Sequence, residues 1–486
     1  MPTSNQSDKL TLEFINPITN ELNKTIQFNF AGVNVGSKSE SIDNFTSVNF
    51  EKDFFTPANG LTICLADDRI NELTRFLQRG YKVRLSINDK PNMIGYIFDY
   101  DLTYTRNGGS QLILKCKDLL EYLAQGSVYP NMGQGIDTNF HFQPTDSLAF
   151  ALTSIVKVFR SITGEKGKIG QILINPDPNS DSLTFASGFD FGFRVKGKTH
   201  KSRIKSFKDK LGKLTTPIKG ESYLAYMLRL AKLAGCNIKM SNHQANLINV
   251  TPPIYDRTIP SPFKLFHYLS GPNTEANTVL DARYVFGLDH QPSVAIIEGI
   301  NGNNQNFYQS ALKGIAVNEL VGFASLDTPE SIPSLLTGVQ DAIDQLTTGE
   351  LGTGYELAPF NYDLINANRR IPVNVLTQVC LPYYNSSYNA HTKQEMVFAA
   401  SMIIAEAQDK FVEMIYRVKG WTMPGTNIVW QPNTMVEITE EIFSPGAPKV
   451  FYMWIRKVNY KRNRNDGTIT ELVCTLPYTH NWEITG

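Results

Sequence analysis

A long strand–turn–strand pattern, present once near each end of the chain, sets the strictest limit on how this sequence can fold. Met93 to Lys115 runs from an aromatic-Ile strand through a basic-Asn-Gly turn into a Leu-rich strand, and Met453 to Leu476 follows the same plan. Tyr96-Ile97 stands opposite Trp454-Ile455 at an offset of 358 (454 − 96), and Gly109 stands opposite Gly467 at the same offset. Asn107-Gly108-Gly109 and Asn465-Asp466-Gly467 are hairpin signals, because tight hairpin turns need residues that tolerate positive φ. The preceding strands, from Tyr81 and from Thr434, correspond at a different offset of 353 (434 − 81), so one copy needs a longer loop. Any two hairpins share some of this pattern, and spacing alone leaves open whether the repeat is structural. A structural repeat would give one chain two copies of one barrel.

The surrounding pattern is strand-rich. Leu10 to Ile15 and Thr25 to Phe30 alternate apolar and polar residues, Leu61 to Leu65 follows, and Tyr81 to Ile87 leads into the first long hairpin. Between them, Asp67 to Gln78 reads as a helix stopped by Gly80, and Asp118 to Ala124 as a short closing helix. Asp146 to Ile162 is compatible with one amphipathic helix. The helix over Glu221 to Ala234 is predicted by its stripe of Tyr223, Leu224, Met227, Leu228, Leu230 and Ala231. Short strands at Cys236 to Met240 and Leu247 to Val250 come next, then a Pro-rich stretch from Pro252 to Pro262. Strands return at Val279 to Gly287 and Ser293 to Gly299. Helices are predicted at Ile332 to Leu346 and Thr392 to Tyr416. The chain closes on strands at Val418 to Thr422, Thr434 to Thr439, Val450 to Lys461 and Thr468 to Leu476.

At 486 residues the chain is long enough for about three domains. Hydrophobic residues make up 42%, enough for a large core, and the 28 Phe and 21 Tyr suit strands and protein contacts. Lys and Arg number 46 and Asp and Glu number 46, so net charge is zero, which argues against a globally basic nucleic-acid binder. Zero net charge is also poor for solubility, a property of subunits that live inside assemblies. Cys64, Cys116, Cys236, Cys380 and Cys474 are odd in number and widely spaced, so reduced thiols are expected. Met1 to Leu10 lacks the apolar centre of a signal peptide, and the apolar run Val397 to Ala405 is too short to span a bilayer. These features read as a chain made in the cytoplasm with no membrane insertion.

One motif carries chemistry. Gly192-Phe-Arg-Val-Lys-Gly197-Lys198-Thr199 fits the phosphate-cradling loop of nucleotide hydrolases, in which Lys198 would meet phosphate and Thr199 would hold magnesium. That loop must follow a buried parallel strand, yet Thr184-Phe185-Ala186 is short and no alternating βα pattern surrounds it. A helix after it would open on His200, Lys201 and Arg203, against the macrodipole. No cofactor and no catalytic residue are therefore expected. Arg194 to Lys213 holds Asp209 as its single acid and reads either as a solvated loop or as a contact for an acidic neighbour, with Lys205 and Lys208 the candidates. The seven histidines are scattered without metal-ligand spacing, so no metal site is expected.

The C-terminal block resembles a known family. It reads Val418-Lys-Gly420-Trp421-Thr-Met-Pro424-Gly425, then Val429-Trp430-Gln-Pro432-Asn433, Met435-Val-Glu-Ile438, and Tyr452-Met-Trp454-Ile455 through Tyr460, Gly467-Thr468 and Leu472 to Pro477. This is similar to the end of baseplate hub proteins of contractile-tail phages, the Mu-type or late-control D-like family. Pro91 to Leu123 and Glu221 to Val250 are similar to that family's first barrel and its small helix–hairpin domain. The resemblance implies an α+β, mainly β fold with two similar β-barrel domains and inserted α/β and loop-rich domains. It places a first tube-like barrel at 1–125, a loop-rich insertion with the basic stretch at 126–220, and the helix–hairpin domain at 221–260. A second barrel would come from 261–300 and 418–486, with a helical or irregular insertion at 301–417. It further implies a non-enzymatic homotrimer whose six barrels form a pseudo-six-fold ring in the virion. The partners implied are the tail tube protein, a central spike protein, and baseplate wedge and tape-measure proteins, with DNA passing transiently through the lumen. Trp421, Trp430 and Trp454 are the aromatic interface candidates. The enzyme alternatives left open are a nucleotide hydrolase using Lys198 and Thr199, and a hub-associated cell-wall hydrolase.

Overall fold

A computed structural model of the chain describes most of residues 8–128, 220–299 and 412–475, with short stretches at 151–157, 173–176, 194–196, 313–317, 355–357, 382–388 and 483–485 and a few positions between 400 and 407. Its dominant feature is a 14-stranded sheet built from both ends of the sequence. The N-terminal strands are β1 (Leu10–Ile15), β2 (Leu22–Phe28), β3 (Glu40–Ser41), β4 (Phe45–Asp53), β5 (Gly60–Leu65), β6 (Lys82–Ile87), β7 (Lys90–Thr105) and β8 (Gly109–Lys117). Two short strands, β9 (Leu173–Pro176) and β10 (Arg194–Lys196), precede β11 (Asn237–Met240) and β12 (Leu247–Thr251). Then come β13 (Phe263–His267), β14 (Val279–Phe286), β15 (Val294–Gly299), β16 (Lys313–Val317), β17 (Tyr355–Leu357) and β18 (Pro382–Tyr388). The chain ends on β19 (Val412–Lys419), β20 (Thr434–Glu440), β21 (Lys449–Asn463), β22 (Gly467–Thr475) and β23 (Glu483–Thr485).

One scheme of strand pairing occurs twice, and it extends well beyond the hairpin. In the first copy β7 pairs with β6 and β8, β8 with β5, and β5 with β4. In the second, β21 pairs with β20 and β22, β22 with β19, and β19 with β14, in the same antiparallel senses. The registers coincide as well. Ile97 faces Cys116 and Ile455 faces Cys474, and the next ladder step in each copy skips one residue, Phe98 in the first and Arg456 in the second. Such a bulge kinks a strand at a set place. β5 and β19 align at the offset of 353, as do β6 and β20, while β8 and β22 keep 358. The change of offset falls where the sequence demanded a longer loop. β6 and β7 join through Asn88 and Asp89, both at positive φ (50° and 63°), the geometry of a type I′ turn, whereas residues 441–448 separate β20 from β21.

The copies differ at their outer strands. β1 runs antiparallel to β6, whereas its counterpart β13 runs parallel to β20. A single apolar interior serves both, drawing Leu12, Phe50, Ile63, Leu85, Ile97 and Leu114 from one copy and Leu265, Met414, Tyr416, Ile438, Ile455 and Leu472 from the other. Its strand residues alternate inward and outward, the period-2 pattern of half-buried strands.

Two expectations are corrected. The helix read over Thr392 to Tyr416 is helical at 400, 403, 404 and 407, but its last part is β19. Met414, Tyr416 and Val418 face the core in alternation, and ladders on both sides hold this segment extended. Val294–Gly299, expected in the second barrel, instead sits in a separate four-stranded sheet between β16 and β18. A short apolar run with partners on both edges is what a central strand requires.

The helix Leu119–Gln125 is capped by Asp118, whose carboxylate accepts from Leu120 N at 3.0 Å and from Asn59 N at 2.8 Å. It packs on the helix Tyr223–Leu233, where Arg229 grips Glu221 with two bonds of 2.9 and 2.8 Å. Residues 151–157 are helical, within the expected 146–162. The predicted helices at 67–78 and 332–346, and the Pro-rich stretch 252–262, lie outside the described residues.

Candidate assembly interface

The two copies meet along one ladder. β21 pairs with β20 through Ile455; beyond the bulge the same edge takes β4, from Lys457 opposite Asp53 to Asn463 opposite Ser47. One strand thereby belongs to both halves. Phe50 and Tyr460 stack across the seam, with ring centroids 5.4 Å apart, and the Tyr460 hydroxyl donates to the Trp430 carbonyl. Lys457 reaches diagonally to Glu51 at 2.7 Å. Phe54, Phe55 and Trp454 cluster edge to face at the end of the seam.

A buried cation sits beside this seam. Lys52 Nζ donates to Asn92 Oδ1 (3.3 Å), Asn242 Oδ1 (3.1 Å) and Gln431 Oε1 (3.3 Å). Three amide oxygens match the three donors of an ammonium group. The contacts come from β4, β7, the segment after β11 and the segment before β20, so one side chain ties both copies to the small β9–β11–β12 sheet. Burial is the main influence on Lys52 and pushes its pKa down to about 7, helped by the nearby charge of Lys239.

A second polar cluster braces the second copy. Glu440 is fully buried; it accepts from Tyr284 OH (2.5 Å) and Tyr416 OH (3.3 Å) and lies 2.8 Å from His267 Nδ1. Backbone N–H groups of Glu441 and Ile442 complete its shell. Burial alone would raise this carboxyl, but the bonds from His267, Tyr284 and Ile442 outweigh it and hold the pKa below the usual value. The four side chains come from β13, β14, β19 and β20. β20 and β14 lie at opposite ends of the second copy's ladder, so the sheet must curl for them to meet. Thr278, just before β14, exchanges bonds with Phe266 of β13 at 2.9 and 3.1 Å, bringing the curl nearly full circle. With every lone pair of Glu440 engaged inside the protein, the cluster is a brace.

Several strand edges have no described partner, and two of them belong to strands that correspond to the seam strands β4 and β21. β14 pairs on one side with β19 only, and β7 from Asp99 to Thr105 pairs on one side with β8 only. Tyr100 and Tyr104 on this part of β7 are 44% and 56% exposed, and Leu280 beside the β14 bulge is 55% exposed. Large exposed aromatics on an open strand edge mark a place where another chain can add.

No family model matches the chain, and no curated protein does. Solved structures do. A tail protein from Neisseria meningitidis MC58 superposes with a TM-score of 0.56 at 11% identity, over 99% of this chain and 100% of that one. The 43 kDa tail protein of prophage MuSo2 from Shewanella oneidensis gives 0.54 at 13% identity, over 97% and 99%. The fold is that of phage tail proteins. Both comparisons run essentially end to end.

Set against this fold, the expected site residues divide. Trp421, Trp430 and Trp454 are all 0% exposed. Trp421 Nε1 donates to the Lys461 carbonyl (3.3 Å), Trp454 Nε1 donates to Asn433 Oδ1 (3.1 Å), and Trp430 stacks on Phe263. The tryptophans therefore pack the interior of one chain, which corrects their assignment as interface residues; burial of a large indole inside the sheet accounts for their prominence in the sequence. Lys205 and Lys208 lie outside the described residues, as do Gly192, Gly197, Lys198 and Thr199. Within the phosphate-loop match, Arg194–Lys196 forms a strand parallel to Glu483–Thr485. Among the described residues no group of His, Cys, Asp and Glu is placed to hold a metal, and no helix is long and apolar enough to cross a membrane. The open edges of β7 and β14 escaped the sequence reading; Tyr100 and Tyr104, spaced for one face of a strand, were the signal.

Proposed function

We propose that this chain is the structural hub of a contractile phage tail baseplate, acting as a homotrimer that adapts a three-fold spike to a six-fold tail tube. The observation that carries the reading is the repeat: one chain holds two copies of one strand arrangement, joined by a ladder, and among the described residues the corresponding edges of β7 and β14 have no partner. Three such chains supply six near-equivalent units, which is what a three-to-six adaptor needs. The phage-tail fold supports the same role. In this reading each copy closes as a tube-like barrel, the lumen passes DNA, and the inserted segments and the basic stretch around Lys205 and Lys208 face wedge, tube or tape-measure proteins. The protein is made in the host cytoplasm and ends in the virion, and it catalyses no reaction. Light scattering on the purified full chain tests this. The expected mass is three times the 54.5 kDa of one chain. A monomer at every concentration overturns the trimer.

A further inference from the structure

We infer that β14 of one chain adds to the open edge of β7 of a second copy in a defined antiparallel register, Asp101 opposite Val285 and Thr103 opposite Arg283. This deepens the ring reading and rests on it. The internal repeat supplies the argument. Within the chain, β4 of the first copy lies on the edge of β21 that continues past β20. The counterpart of β21 is β7, and among the described residues its edge past β6 has no partner. The counterpart of β4 is β14, and its outer edge has no partner among the described residues either. Even the bulges agree: β4 skips Thr46 against β5, and β14 skips Leu280 against β19. The chain thus makes the junction once and carries both halves of a second one that its described strands do not make.

Burial separates the two cases. Val458 and Tyr460 on β21 are 0% exposed beneath Phe50 and its neighbours. Their counterparts on β7 are Tyr100 and Leu102, followed by Tyr104, and here the two tyrosines stand about half exposed. On β14, Tyr284 is the counterpart of Phe50, so the register sets Tyr284 over Leu102 as Phe50 lies over Tyr460. The outer face fits in charge. The seam joins Lys457 to Glu51 across a diagonal, and a diagonal of the same direction, two residues further along the new ladder, joins Asp101 to Arg283, both exposed. The contact is head-to-tail, using different edges on each partner, so it propagates until a ring closes.

Directly opposed residues in an antiparallel pair bring their Cβ atoms within cross-linking reach. Full-length Thr103→Cys chains mixed with full-length Arg283→Cys chains and oxidised mildly should give a disulfide-linked dimer. Either variant alone, or Thr103→Cys mixed with Asp281→Cys, should give none above the wild-type background. In parallel, Asp101→Arg should weaken self-association by up to about fivefold, the scale of an exposed ion pair, and adding Arg283→Asp to the same chain should restore it. Assembly at the expected mass without the 103–283 link, or with a stronger 103–281 link, overturns the register and leaves the ring reading standing. Failure of the charge swap to restore association counts against the register in the same way. A chain that stays monomeric at every concentration overturns both.

Discussion

Tyr460 lies almost flat on Phe50, its ring plane 16° from parallel, and the pair joins the two halves of the protein at a fully buried point. Truncating either ring leaves a cavity that the two ladders hold open. Phe50→Ala should lower stability by about 3–5 kcal/mol, read as a fall in denaturant midpoint with unchanged slope. A loss under about 1 kcal/mol would show that the seam tolerates repacking.

Lys52 should give stability a pH dependence in the alkaline range. Its folded pKa, about 7, lies below the ordinary lysine value of 10.5, so between these limits the unfolded chain holds the extra proton. Stability from this group is fully present above the unfolded value, falls as pH drops toward 7, and is flat below that. Lys52→Met should remove this slope. Denaturant titrations from pH 7 to 10 check it, and equal slopes in both proteins would refute it.

Asp118 behaves in the opposite sense. Burial raises its pKa to about 7, against backbone bonds from Asn59 and Leu120. Its contribution is fully present below the unfolded value near 4 and is lost as pH rises through 7. Asp118→Asn should flatten the dependence between pH 4 and 7, while Asp118→Ala should remove the cap and cost about 1 kcal/mol at every pH.

Glu440 should make the second half the acid-labile one. Its folded pKa is depressed, so its contribution is present above the unfolded value and is lost as pH falls through the folded one. Tyr284→Phe should cost about 1.5–3 kcal/mol at neutral pH, the range for a bond to a charged group. The difference between variant and wild type should shrink in acid. A constant difference down to pH 3 would mean the brace does not titrate.

Most of the large sheet was legible in the sequence because its strands carry their own signal. Met93 to Tyr104 and Val450 to Lys461 alternate along their length, and glycines mark their turns. The offsets of 358 and 353 turned out to be a register and a loop-length difference, the 441–448 loop against the Asn88-Asp89 turn. What sequence could not show was which edges stay open, since strand neighbours are set by ladders between residues hundreds of positions apart. The tryptophans misled for a related reason: an aromatic at a family-like position reads the same whether it packs a core or a partner. The Lys52 and Glu440 clusters were invisible because their members, such as Asn92, Asn242 and Gln431, come from four separate segments.

The second copy accepts its largest insertion at a single rung. Phe286, the last residue of β14, stands directly opposite Val412, the first of β19, and everything from 287 to 411 departs and returns between those two positions. The corresponding strands of the first copy are joined by the few residues between Asp53 and Gly60. That rung is therefore a graft point: its two stubs lie about 5 Å apart, close enough for a tight turn or a foreign domain to bridge. A change in what bridges the two stubs leaves the β14–β19 ladder its own register.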